Sequence, residues 1–121
     1  MAHFARIDEN NTVICVLVVD DSLEHRGEDF LANDLGLGGT WIKTSYNTYG
    51  NVHSKGGIPV HKNFAGIGDK WDGIGFYSPS PFPSWVKNEI TYLWEAPIKK
   101  PDDGEKYEWS EENLNWVKYT E

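Results

Sequence analysis

A single cysteine, Cys15, stands in the chain of 121 residues, so no intramolecular disulfide can form and a zinc site of the two-cysteine kind is excluded. The four histidines, His3, His25, His53 and His61, show none of the short spacings that metal sites favour, and neither metal nor cofactor is expected. Basic residues are scarce, 11 against 19 acidic ones, and the resulting net charge of -8 has the wrong sign for neutralising phosphates. Nucleic acid is therefore not an expected partner. The acidic residues are spread along the chain and read as solvated faces. Long apolar runs are also lacking: Val13 to Val19 falls far short of the ~18 residues that span a bilayer. The amino terminus carries no basic region joined to an apolar stretch and a cleavage site. The expectation is a protein that works in the compartment where it is made, with no membrane partner.

Catalytic motifs are missing as well. Gly36-Leu37-Gly38-Gly39 follows a predicted helix instead of opening one, the wrong order for a phosphate-cradling loop. The acid pairs Asp20-Asp21, Asp102-Asp103 and Glu111-Glu112 are adjacent, so in extended structure their carboxylates point apart. Ser45 has no nucleophile-elbow motif and no local base. The chain is not expected to be an enzyme.

Aromatic residues are what the chain has in quantity: six Trp, six Tyr and five Phe. Each can bury roughly 150–250 Å², enough together for a core without staples. His3 to Asp8 and Thr12 to Val19 read as a hairpin around the turn Glu9-Asn10-Asn11, and the uniformly apolar second strand, which contains Cys15, is expected to be central and buried on both faces. Gly27 to Leu35 is the one predicted helix: Glu28 and Asp29 suit its positive end, Phe30, Leu31 and Leu35 form an apolar stripe, and Gly36 caps it. Such a short helix must be held by packing on the sheet. A third strand is expected at Thr40 to Tyr46, then a polar loop over 47–59, then strand character at Val60 to Phe64.

Beyond residue 68 the texture changes, and aromatic segments alternate with Pro79, Pro81, Pro83, Pro97 and Pro101. Three hairpins are predicted. One lies within Trp71 to Tyr77; the second turns at Lys87-Asn88-Glu89, joining Trp85-Val86 to Thr91-Tyr92-Leu93-Trp94; the third turns at Ser110 to Asn113, joining Tyr107-Glu108-Trp109 to Leu114-Asn115-Trp116-Val117. Lone hairpins are barely stable, so these need one another, the amino-terminal sheet or a partner. The predicted fold is α+β and mainly β: an antiparallel sheet with one short helix at about 27–35 in residues 1–68, followed by a module of proline-separated aromatic hairpins in residues 69–121. The aromatics either staple the hairpins and pack inside, or stay exposed as anchors, with Trp85, Tyr92, Trp94, Tyr107, Trp109 and Trp116 as the candidate binding residues.

Four blocks carry a resemblance: Met1 to Asn11, Gly39-Thr40-Trp41-Ile42-Lys43-Thr44-Ser45-Tyr46-Asn47, Lys62-Asn63-Phe64-Ala65-Gly66-Ile67-Gly68, and Pro81-Phe82-Pro83-Ser84-Trp85 through Trp94-Glu95-Ala96-Pro97. In this order they resemble small proteins encoded by marine tailed phages, cyanophages especially, over almost the whole chain. The segment Pro101 to Glu112, closing on Asn115-Trp116-Val117, is also similar to aromatic hairpins near the ends of tail-fibre proteins. The resemblance implies a virion structural or accessory protein, made in the host cytoplasm, that decorates the capsid or joins the tail. Its partners would be other virion proteins, and self-association in a symmetric assembly is expected. It transfers no catalytic residue. Two other readings remain open: a host-directed acidic regulator made during infection, and a carbohydrate-binding module in which Trp and Tyr stack on sugars while loop 47–59 adds polar contacts.

Overall fold

A computed structural model describes residues 1–119. The chain is mainly β, with antiparallel pairings and one short helical segment, as predicted. It forms two compact units: one of Met1–Pro79 together with Glu89–Leu93, the other of Ser80–Asn88 together with the chain from Trp94 onward. The first unit thus runs past the division expected at 68/69.

The first unit is organised by a three-stranded sheet of strands β1 (Ala2–Ile7), β2 (Val13–Val19) and β3 (Thr40–Thr44), in the order β2-β1-β3. Expectation and structure part here. The apolar strand β2 is at the edge, and the more mixed β1 is central, pairing with both neighbours. Alternation explains why β1 is the strand buried on both sides. Ala2 and Phe4 face a cluster with Val19, Leu31 and Trp41, while Ala5 and Ile7 face another with Val13, Ile42, Ala65 and Phe76. Asp8 turns the chain between β1 and β2, its carboxylate accepting the Asn10 and Thr12 amides. Asn11 takes φ +60° there, which asparagine tolerates well.

The helical segment covers the Phe4 face. It opens as a 3₁₀ turn over Asp21–Arg26, continues as a single α turn over Gly27–Asp29, and widens to a π turn over Phe30–Asp34, so it starts earlier than the predicted residue 27. Gly27 lies against the Phe4 ring so closely that a Cβ would collide with it. Gly36, at φ +68°, ends the segment as expected. Within the segment, the Arg26 guanidinium bridges the carboxylates of Asp29 and Asp34.

The opposite face is closed by irregular chain. Two short hairpins contribute, β4 (Thr48–Tyr49) with β5 (Val52–His53), and β6 (Lys70–Trp71) with β7 (Phe76–Tyr77), the latter as predicted within Trp71 to Tyr77. Segment 60–64 is not the strand its composition suggested: His61 and Lys62 take φ +49° and +73°, incompatible with extended pairing. Side chains hold it instead. The buried Thr44 and Thr48 hydroxyls accept the Ala65 and Val60 amides, and the ring nitrogen Nδ1 of His61 lies 2.7 Å from the Lys43 carbonyl.

Asn63 is the hub of this stitching. Its buried amide accepts from Gly50 N–H at 2.7 Å and donates to the carbonyls of Phe76 and Thr91 at 3.0 and 3.1 Å. Three segments distant in sequence thereby share one side chain. The Thr91 contact belongs to the excursion Glu89–Leu93, and it corrects the second predicted hairpin. The ladder is β8 (Val86–Lys87) with β9 (Trp94–Glu95), so Tyr92, at φ +57°, is part of a loop rather than a strand.

The second unit adds the third predicted hairpin, β10 (Tyr107–Ser110) with β11 (Asn115–Lys118), pairing Trp109 with Trp116, while Leu114, expected in the strand, takes φ +50° in the turn. Replacing Asn63 with alanine strands one buried donor and two carbonyls, and it is expected to destabilise the first unit by about 3 kcal/mol or more. Urea unfolding monitored on Trp41 and Trp71 measures this, and a loss below about 1 kcal/mol would show that water substitutes for the amide.

Candidate functional site

The six residues singled out as anchors do not converge on one surface. Tyr92 is buried in the first unit, only 3% exposed, with its ring 6.0 Å from that of Tyr77 and its hydroxyl donating to Asp72 at 2.6 Å. The ammonium of Lys62 lies 5.3 Å from the same ring. Tyr92 is therefore a core residue and offers no ring to a partner. The carboxylate it donates to favours the neutral phenol, and its pKa is pushed up to about 12.

Three of the six meet in the second unit. Trp85, Trp109 and Trp116 form a triangle with centroids 5.4–6.0 Å apart, and Phe82 leans on Trp85. Trp109 meets Trp85 and Trp116 edge to face, which aligns positive ring edges with negative faces and is worth about 0.5–1.5 kcal/mol per pair beyond burial. Glu111 fixes the arrangement. Its carboxylate accepts Trp109 Nε1 at 2.8 Å and both the hydroxyl and amide of Ser84, and these donors hold its pKa below the ordinary glutamate range. Trp116 Nε1 donates to the Ile98 carbonyl, and Lys100 sits 5.8 Å from the Trp116 centroid. Trp109 is buried, so as an exposed anchor it too is corrected; Trp85 and Trp116 are half-buried. Trp85 Nε1 is buried with no acceptor among the described residues. Tyr107 is half-buried and donates to Asp103, and Trp94 is half-buried in β9. The sequence expectation that aromatics staple the hairpins describes Trp109 and Trp116 directly.

Exposed apolar surface concentrates elsewhere, on the first unit. Along β2, Ile14, Leu17 and Val18 are 44%, 37% and 48% exposed. Val18 is registered beside His3, whose ring makes edge contacts with Tyr46 at 5.1 Å and Phe64 at 5.7 Å, both of them exposed. Val18, His3, Tyr46 and Phe64 therefore lie on the Ala5 side of the sheet, whereas Leu17, registered with Phe4, lies on the helix side of the same edge. Sequence reasoning missed it because an apolar run signals burial without saying on which side neighbours lie. A polar concavity of about 360 Å³ adjoins it, bounded by Met1, His3, Lys43, Tyr46, Asn47 and His53.

Among the described residues no group of His, Cys, Asp or Glu is placed to hold a metal ion, and no helix is long and apolar enough to cross a membrane. Comparison of the chain with protein-family models, curated proteins and solved structures finds no match.

Two titrations test the geometry. The raised pKa of Tyr92 means its contribution is complete below the ordinary tyrosine value of about 10 and is lost as the pH climbs towards about 12. Stability of the first unit should fall across that window, and Tyr92→Phe should flatten the fall while costing about 1.5–3 kcal/mol at neutral pH through the lost bond to a charged acceptor. An unchanged alkaline profile in the variant would disprove the assignment. For Glu111 the sign is opposite: the depressed pKa gives stability above the ordinary glutamate range that disappears as acidification protonates the group. Acid titration followed by tryptophan fluorescence should show the aromatic triangle loosening, and Glu111→Gln should remove that step; a transition of equal size in the variant would count against the carboxylate.

Proposed function

We propose that the chain is a structural or accessory component of a tailed-phage particle, attached to the capsid exterior or the tail, and that it acts by protein–protein assembly with other virion proteins. The observation carrying the assembly reading is the exposed apolar edge of β2 with its extension through His3, Tyr46 and Phe64, on a chain of net charge -8. Exposed apolar side chains along an unpaired strand edge are a means of interaction with another chain. The acidic remainder of the surface disfavours nonspecific adhesion. The phage setting is supported by the four resembling blocks, of which Met1 to Asn11 and the segment from Gly39 to Asn47 build β1, its turn and β3.

One observation favours a second reading. Tyr46 and Tyr49 expose 59% and 71% of their surface beside the polar concavity or on the neighbouring hairpin, the display a sugar-stacking site needs. A glycan array probed with the full chain separates the readings: selective binding abolished by Tyr46→Ala supports carbohydrate recognition.

Mass spectrometry of purified particles from the encoding phage should find peptides of this chain at a copy number comparable with a capsid or tail protein. Particles that carry none of it would refute the virion role.

A further inference from the structure

We infer that a second copy of this chain docks along the outer edge of β2, strand against strand and antiparallel, about a two-fold axis at Leu17. The inference rests on the assembly reading and names its partner.

The edge is open where it is most apolar. Segment 66–71 covers only the start of β2: Val13 N–H donates to Asp69, Gly68 N–H donates to Val13, and Trp71 N–H donates to Asn11. From Ile14 to Val19 no strand lies on that side among the described residues. Proteins normally blunt such an edge with charge, proline or a covering loop, because unpaired N–H and C=O groups template another strand. Ile14 to Val19 has no charge and no proline, and Ile14, Leu17 and Val18 are exposed.

Charge restricts where two copies can meet. Two copies at -8 each repel over most of their surfaces, so they can approach closely only where charge is absent. A two-fold axis at Leu17 pairs Cys15 to Val19 with itself, placing Leu17 against Leu17, Val16 against Val18 and Cys15 against Val19, all apolar and each on a matching face, and it sets Ile14 opposite Asp20 at either end. It also carries the acidic end of each strand, Asp20-Asp21, to the Gly68 to Lys70 segment of the other copy. That segment carries Asp69 as well as Lys70, and the Lys70 ammonium, donating to Thr12 Oγ1 at 2.7 Å, is the cation beside the strand edge. Two-fold symmetry provides this acid-to-lysine meeting twice. A foreign strand would need the same uncharged centre and a matching acidic end, whereas a second copy has both by construction, and two-fold dimers are the commonest closed assembly.

Sedimentation equilibrium on the full chain should show a dimer. Leu17→Lys sets like charges face to face on the axis and should raise the dissociation constant by tenfold or more, with the far-ultraviolet circular dichroism of the monomer unchanged. Should that variant misfold, Leu17→Cys in a Cys15→Ser background tests the register: mild oxidation should crosslink it rapidly as a dimer, while Val52→Cys in the same background should not crosslink. A chain that stays monomeric up to about 1 mM, the weak end of specific association, overturns the inference, as does a dimer that Leu17→Lys leaves intact. A monomer found in particles, with amide exchange of Ile14 to Val19 slowed only there, assigns the edge to another virion protein and refutes self-pairing while sparing the virion reading. A dimer absent from particles refutes the virion reading alone.

Discussion

The amide of Asn63 is the constraint on which the irregular half of the first unit depends. Segment 44–65 contains almost no regular pairing, so its backbone polar groups must find partners individually. Asn63 serves Gly50, Phe76 and Thr91 from one buried position, and Thr44 and Thr48 supply two more acceptors nearby. With those groups paired, Ala65 and Phe76 can press on the sheet without leaving buried amides unsatisfied. A polar network thus permits an apolar core to form beneath loops.

That core in turn decides which strand is central. Helix on one side and stitched loops on the other bury β1 twice, although β2 is the more apolar of the two. Hydrophobicity of β2 is then in excess of what the fold covers. Ile14, Leu17 and Val18 are accordingly left partly exposed on an otherwise acidic protein.

Elements governed by local chemistry were legible in the sequence. The Asp8 to Thr12 turn, the strand around Trp41, the helix closed by Gly36 and the Trp109/Trp116 hairpin all follow from residues within a few positions of one another. What escaped depends on distant partners. No local signal distinguishes a central from an edge strand when both faces are covered by residues about 25 to 70 positions away, and none reveals that 60–64 is held by threonine hydroxyls instead of a ladder. The candidate anchors divide for the same reason. Trp109 and Trp116 pair locally, whereas the place of Tyr92 is set by Asp72, 20 residues earlier.

The discontinuity of the first unit carries a consequence for how the polypeptide is made. Residues 80–88 belong to the other unit, yet Glu89–Leu93 supply Tyr92 and the Thr91 carbonyl to the first. Domains ordinarily fold in order as they leave the ribosome. Here the amino-terminal body cannot finish until the ninety-third residue has emerged, and a nascent chain halted at residue 79 would hold its Asn63 amide short of one acceptor. Synthesis and completion of the first core are therefore coupled across a segment that belongs elsewhere.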